Sequence, residues 1–223
     1  MSTVLIIGAS RGLGLEFARQ YVAAGERVLA TARDDAGRER LQALGVEKVL
    51  TLDVADPASV SALTWMLDGE KIDIALYVSG VTESGNALSP PTQEQFDRVM
   101  HTNVLGAMQA IPQIAPLVEA VQGRFAFISS ELGRIGGVQS SHTWLYRVSK
   151  AALNMAVASA QHDYPQATLV ALHPGWVQTE MGGEQAPLTA PESVAAMRAT
   201  IARLTTAQRG QFLQRDGTPC ASW

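Results

Sequence analysis

Two side chains in the stretch LYRVSKAALN suit proton chemistry: Tyr146 and Lys150, four residues apart. Four residues make about one helical turn, so both belong on one face of a helix. A free phenol, with a pKa near 10, holds its proton too tightly for efficient transfer near neutrality. An ammonium one turn away favours the phenolate and is expected to lower that value. The pair would then give a proton to an oxygen that is gaining negative charge. The plain alternative is a half-buried tyrosine beside a lysine that snorkels to solvent. Taken alone the pair fits that alternative better, so the rest of the chain must decide.

A second feature binds rather than reacts. The apolar run TVLIIG leads straight into GASRGLGLEFA, with Gly8, Gly12 and Gly14 spaced G-x-x-x-G-x-G. Glycines allow a tight turn and close backbone approach to a pyrophosphate, and the following helix directs its first N–H groups there. Turns need glycine in any case; the position between a first strand and a helix is what favours a dinucleotide. The second strand closes with ATARDD. An NAD site usually has an acid near that point for the ribose 2′-hydroxyl. Here Arg33 stands there, and Asp34 and Asp35 fall where a helix begins and where acids suit its dipole. Arg33 with Arg11 would clamp a 2′-phosphate, so NADP(H) is expected over NAD(H). Two solvated surface arginines are the alternative.

The elements that must position these groups alternate along the chain. Strands are expected at 3–8, 27–32, 46–54, 72–80, 124–130, 167–175 and 210–214, the last being the weakest. Helices are expected at 14–25, 36–44, 57–67, over most of 92–120 with a bend near Pro112, at 142–162 and at 191–204. Strict alternation implies right-handed crossovers and one parallel sheet with helices on both faces, a doubly wound α/β domain spanning 1–223. No linker or internal repeat divides it.

Composition agrees. The 223 residues are 47% hydrophobic and 17% charged, enough for a sizeable core. A net charge of −4 without a basic run disfavours nucleic acid or an anionic membrane as partner. The one cysteine, Cys220, allows no internal disulfide, which suits a cytoplasmic setting. No leader-like segment opens the sequence, and no apolar stretch has membrane-spanning length. Four scattered histidines and a lone cysteine give no metal-ligand spacing, so no metal is expected.

The glycine loop, Ser129-Ser130, Tyr146-x-x-x-Lys150 and HPG occur in one order along an α/β chain. This set resembles the short-chain dehydrogenase/reductase family of the classical type. The segments HPGWVQTEMGG and DGTPCASW look most like its C-factor-like and sniffer-type carbonyl reductase branch. The resemblance implies a Rossmann fold with the substrate pocket in its C-terminal part. It implies NADP(H)-dependent hydride transfer between the nicotinamide and a carbonyl or secondary alcohol. Tyr146 is then the acid/base, Lys150 its partner and ribose ligand, and Ser130 the substrate-orienting serine. Asn103 of HTNVLG completes the set by holding a water or backbone turn that links Lys150 to solvent. Gly8, Ser10, Arg11, Gly12, Leu13 and Gly14 would cradle the phosphates. Asp53 and Val54 would meet the adenine, and Ser79 and Gly80 would border the cofactor. Pro174, Gly175, Val177 and Thr179 would hold the carboxamide. Relatives are often dimers or tetramers through the helices after the fourth and fifth strands.

Three departures stand out. Ile7 occupies the place of the usual threonine before the first glycine. Tyr77-Val78-Ser79-Gly80 replaces Asn-Asn-Ala-Gly; these two elements brace one another in relatives, so their joint loss suggests one compensated change. The interval between Ser130 and Tyr146 is a few residues longer than usual, so ELGRIGGVQSSHTW is expected to reshape the rim. Two rival functions stand beside the reductase. One is a C-factor-type signalling protein that binds NADP, disfavoured by the intact Ser130, Tyr146 and Lys150. The other is a sugar-nucleotide epimerase, disfavoured by the glycine spacing. Trp144, Trp176, Met181 and Trp223 would line an apolar pocket or simply be core. Gly217 and Pro219 are expected to turn the tail back, with Trp223 as a lid beside loop 176–190.

Overall fold

The computed structural model describes residues 1–221 and 223. Apolar, β-branched runs form β1 (Thr3–Ile7), β2 (Arg27–Ala32), β3 (Lys48–Thr51), β4 (Ile74–Tyr77), β5 (Arg124–Ile128), β6 (Thr168–His173) and β7 (Phe212–Gln214). All pair in parallel in one sheet, ordered β3-β2-β1-β4-β5-β6-β7. Between them run α1 (Gly12–Ala23), α2 (Asp35–Ala43), α3 (Pro57–Ser61), α4 (Leu63–Met66), α5 (Gln93–Met100), α6 (Gly106–Glu119), α7 (Trp144–Ala160) and α8 (Ala190–Arg203).

The period of two along each strand builds two cores from one sheet. Leu5, Ile7, Leu29, Tyr77, Phe125 and Phe127 face α3, α4, α6 and α7, packing on Leu63, Ile111, Ile114, Leu153 and Val157. Val4, Ile6, Val28, Ala30 and Leu76 face the other way, onto Phe17 and Tyr21 of α1, Leu41 of α2, and Val194 and Met197 of α8. The strand order reverses between β1 and β4, and in open α/β sheets the carboxyl ends of the strands at such a reversal are where ligands bind.

Several boundaries differ from the expectation. The strand expected at 46–54 pairs only over Lys48–Thr51, because beyond the Leu52 N–H, which still donates to the Ala32 carbonyl (3.1 Å), Asp53 closes a local turn onto the Ala55 N–H (3.0 Å). The helix at 57–67 breaks into α3 and α4 around Ala62. Within 92–120 the helical run is widened by a π-helical turn, His101–Leu105, that the sequence reading missed, and α6 contains both Pro112 and Pro116. Side chains explain the wide turn. The Tyr77 hydroxyl donates to the Thr102 carbonyl (2.8 Å), and Asn103 is tied to the backbone of Val81. Gly106 then brings α6 against the Val54 carbonyl and the Tyr77 hydroxyl, where any Cβ would collide.

The tail does turn back, but not as a lid. Beyond β7 it reverses at Asp216 and Gly217 (φ 90°). The Gln214 N–H donates to the Thr218 carbonyl (2.8 Å), Leu213 bridges Pro219 antiparallel, and the Cys220 N–H donates to the Phe212 carbonyl (2.9 Å). Running antiparallel to β7, the chain moves away from the strands' carboxyl ends. Trp223 meets the Phe212 ring edge-on (centroids 6.2 Å apart) and lines a groove with Met155, Ala158 and His162, beyond the far end of α7 from Tyr146. The expected lid is therefore corrected to a staple on the sheet edge. Deleting residues 219–223 should cost about 1–3 kcal/mol through lost edge bonding and exposure of Phe212. That corresponds to a fall in Tm of roughly 3–10 °C for a chain of this size. Kinetics with a bulky carbonyl should hardly change. A melting temperature that stays put while KM rises would reinstate the lid.

Candidate active site

α7 starts abruptly from Thr143, which is left-handed (φ 53°), and turns its inner face onto β5. Lys150 on that face is only 3% exposed. Its Nζ donates to the carbonyl of Ile128, the last residue of β5 (2.8 Å), and lies 5.6 Å from the centre of the Tyr146 ring. Burial lowers the Lys150 pKa to about 8. Burial also pushes Tyr146 up to about 12, against a smaller lowering by its hydrogen bond with Ser130. The expected lowering of the phenol by Lys150 is thus not the dominant effect in this structure. The ammonium is aimed at a backbone carbonyl, and desolvation weighs more on the phenolate than a charge at that distance relieves.

Ser130 ends the β5 segment in extended conformation and caps the short 3-10 turn Glu131–Gly133. Its Oγ accepts the Leu132 N–H (3.1 Å), and the hydroxyl is placed to lower the pKa of Tyr146. The turn presses against α7, since a Cβ on Gly133 would sit 2.8 Å from the Lys150 Cβ. Ser129 points elsewhere, donating to Asn154 Oδ1 (2.5 Å).

Asn103 is fully buried, and its amide grips Val81 on both sides: Nδ2 donates to the Val81 carbonyl and Oδ1 accepts the Val81 N–H, each at 2.8 Å. Nδ2 also donates to Ser149 Oγ (2.9 Å), whose hydroxyl donates to the Tyr146 carbonyl (2.7 Å). Asn103 therefore holds the backbone at Val81 and reaches the Tyr–Lys helix through Ser149. A Cβ on Gly80 would be 3.5 Å from both Asn103 Oδ1 and Lys150 Nζ, so Gly80 borders the ammonium directly.

The glycine loop lies between β1 and α1. A Cβ on Gly8 would strike Ser79, and one on Gly14 would strike the Gly8 carbonyl, so both glycines are demanded by the turn itself. Gly12 (φ 54°) is different: a Cβ there would meet only Thr179, at 3.9 Å. The α1 N-terminus has no side-chain cap and no acid in its first turn. The Gly12, Leu13 and Gly14 end of α1, with Ser10 before it, thus offers uncapped N–H groups to an anion. Sequence reading missed Thr31, whose Oγ1 accepts the Gly8 N–H (2.9 Å) and whose carbonyl accepts the Ala9 N–H (2.9 Å). With Ile7 in place of a threonine, the loop is braced from β2.

Arg33 is exposed past the end of β2. Asp34 is occupied in capping α2 through the Gly37 N–H (2.7 Å), and Asp35 pairs with Arg38 (2.6 Å). Both acids are thus engaged at the start of α2. Arg40, also missed, donates to the Ser10 carbonyl (3.0 Å), while Arg11 reaches across to Glu180 (2.6 Å). Pro174, Gly175 (φ 86°), Val177 and Thr179 follow β6; the Pro174 carbonyl accepts from Ser193 (2.7 Å), and Thr179 Oγ1 accepts the Gly182 N–H (3.1 Å). Asp53 and Val54 lie beyond β3, the first in its own turn and the second buried. Trp176 is not core: it is half exposed, with its indole N–H on the Gly182 carbonyl (2.7 Å). Among the described residues no helix is long and apolar enough to cross a membrane.

The short chain dehydrogenase family model matches residues 2–188. The C-signal protein of Myxococcus xanthus is 36% identical over 150 residues, covering 66% of this chain and 90% of the relative. The carbonyl reductase Sniffer of D. melanogaster superposes with a TM-score of 0.90 at 29% identity, covering both chains fully. An NADPH-bound carbonyl reductase from chicken fatty liver gives a TM-score of 0.90 at 28% identity, covering 100% of this chain and 99% of that one. The order of glycine loop, serine, tyrosine and lysine, their convergence at one end of a parallel sheet and these likenesses have one explanation: the chain belongs to the short-chain dehydrogenase/reductase family.

Proposed function

We propose that this protein is an NADP(H)-dependent carbonyl reductase with a Ser-Tyr-Lys mechanism, its substrate pocket formed by the C-terminal part of the domain. One observation carries the reading. Ser130, Tyr146 and a buried Lys150 converge at the carboxyl end of β5, at the crevice into which the uncapped end of α1 points. When bound, the nicotinamide supplies the hydride. Gly8, Ser10, Arg11, Gly12, Leu13 and Gly14 would hold the phosphates. Arg33 and Arg11 would take the 2′-phosphate, Asp53 and Val54 the adenine side, and Ser79 and Gly80 the crevice floor. Pro174, Gly175, Val177 and Thr179 would orient the carboxamide.

The protein's own groups do the proton chemistry. Ser130 donates a hydrogen bond to the carbonyl oxygen as charge builds there. Tyr146, held as a phenol by burial, gives its proton to the forming alkoxide; this is the form that reduction requires. Lys150 stabilises the resulting phenolate and reaches the ribose hydroxyls past Gly80, and Asn103 keeps the path to solvent in shape. Reduction is therefore the direction for which the free enzyme is prepared. The substrate is a small molecule and the setting cytoplasmic.

Three measurements test this reading. Tyr146→Phe keeps the ring and removes the proton. On a verified carbonyl, kcat should fall by at least about 100-fold while NADPH affinity changes little. Near wild-type turnover would remove Tyr146 from the acid role.

Lys150→Met separates function from stability. Below about pH 8 the lysine is charged in both folded and unfolded chains, and the folded state bears the full burial cost. Between about 8 and the ordinary 10.5 the unfolded chain alone keeps the proton, so the cost fades as pH rises. Denaturant titrations should show K150M more stable than wild type by roughly 1–3 kcal/mol at pH 7, with the gain shrinking above pH 8, and turnover lost. A destabilised variant at pH 7 would mean that the ammonium is well compensated where it lies.

Arg33→Asp removes a phosphate partner and adds repulsion, so it should reverse much of a preference for NADPH over NADH. Equal kcat/KM for the two cofactors in the wild type would show Arg33 and Arg11 to be merely solvated.

A further inference from the structure

We propose that His173 is a positioning residue: its neutral imidazole accepts the Glu131 N–H and thereby locks the turn that aims the Ser130 hydroxyl at the substrate oxygen. The inference rests on the reductase reading above. His173 is the last residue of β6, next to the end of β5, where the Ser129 N–H bonds the Leu172 carbonyl (2.8 Å). Its Nδ1 accepts the Glu131 N–H at 3.1 Å. The Glu131–Gly133 turn is thus gripped on one side by His173 and on the other by α7, through Gly133 against Lys150. Between the grips, Ser130 Oγ accepts the Leu132 N–H, so its own hydrogen points away from the turn, on the Tyr146 side. Loss of the His173 acceptor would free the first N–H of the turn and let that hydroxyl swing.

The contact also fixes the tautomer. With Nδ1 accepting, the proton resides on Nε2, which lies 3.7 Å from Glu131 Oε2. A second proton on Nδ1 would set donor against donor and open the turn. The groups around the ring divide in sign. Burial is the largest influence and lowers the imidazole pKa; Glu131 raises it and Arg215, at the end of β7, lowers it. One shell out, Arg134 pairs with Glu131 (3.1 Å), and Asp216 and the Cys220 thiol complete the surroundings. The result is an imidazole kept neutral at pH 7, whose protonation on acidification removes the grip.

Two variants and one spectrum test this in the whole chain. His173→Leu cannot accept the N–H; kcat should fall by about 10- to 100-fold while NADPH affinity and Tm stay near wild type. His173→Asn offers Oδ1 to the same N–H without titrating. It should recover most of that loss and lack the acid limb that wild-type kcat shows below the ordinary imidazole value of 6.5. In ¹⁵N-histidine NMR, the signal missing from H173N should report a neutral Nε2–H ring at pH 7.5. A folded H173L with wild-type kcat, an acid limb that survives in H173N, or an Nδ1–H tautomer would each overturn the assignment. Should the wild type turn over no carbonyl at all, the reductase reading falls. Amide exchange at Leu132 and Gly133, expected to be faster in H173L and restored in H173N, still judges the grip.

Discussion

An ammonium that is 3% exposed, with no carboxylate within ion-pair distance among the described residues, is a costly object in a protein interior. Lys150 is such a group, and much of the fold around it is arranged to hold it. The Ile128 carbonyl accepts a hydrogen bond from one of its three N–H groups. Gly80 and Gly133 keep side chains away, and Ser149 beside it is bound to Asn103 and to the Tyr146 carbonyl. The π-helical turn at 101–105 gives Asn103 the inward place from which it grips Val81. None of these features adds to stability as a leucine would. The one hydrogen bond to Ile128 leaves the ammonium with capacity for further hydrogen bonds, which suits the role proposed for it.

The same burial sorts the two titrating groups. Desolvation penalises whichever form carries charge, so it raises the phenol and lowers the amine together. In the free protein this keeps Tyr146 protonated and moves Lys150 toward neutrality. The Tyr–Lys spacing in the sequence suggested mutual stabilisation of charge. The structure shows instead two groups that burial pushes away from their charged forms.

The parts that were legible in the sequence are those with local signatures. Strand and helix alternation follows from hydrophobic period, and the Tyr–Lys face follows from helical spacing; both emerge nearly as read. Groups joined across long sequence separations left no such trace. Thr31 braces Gly8 from 23 residues away, and His173 reaches Glu131 over 42. No spacing rule points to either. The π-helical turn teaches the same lesson. Proline is the usual local cause of irregular helices, so Pro112 attracted the expectation. This irregularity arose where Tyr77 and Asn103 bind remote backbone.

The tail shows how a correct local reading can still yield a wrong placement. Gly217 does turn the chain, as its freedom at positive φ allows. The outcome depended on what the returning segment would find. β7 is the last strand of the sheet, so its outer edge carries unpaired N–H and C=O groups. Residues 218–220 satisfy two of them and bury Cys220 against Phe212 and Ala171. Edge satisfaction draws the tail back along the strand and away from the catalytic end. A lid on the crevice must therefore come from segments that follow strands at their carboxyl ends. Loop 176–190 is one, and Glu180 within it already touches the glycine loop through Arg11.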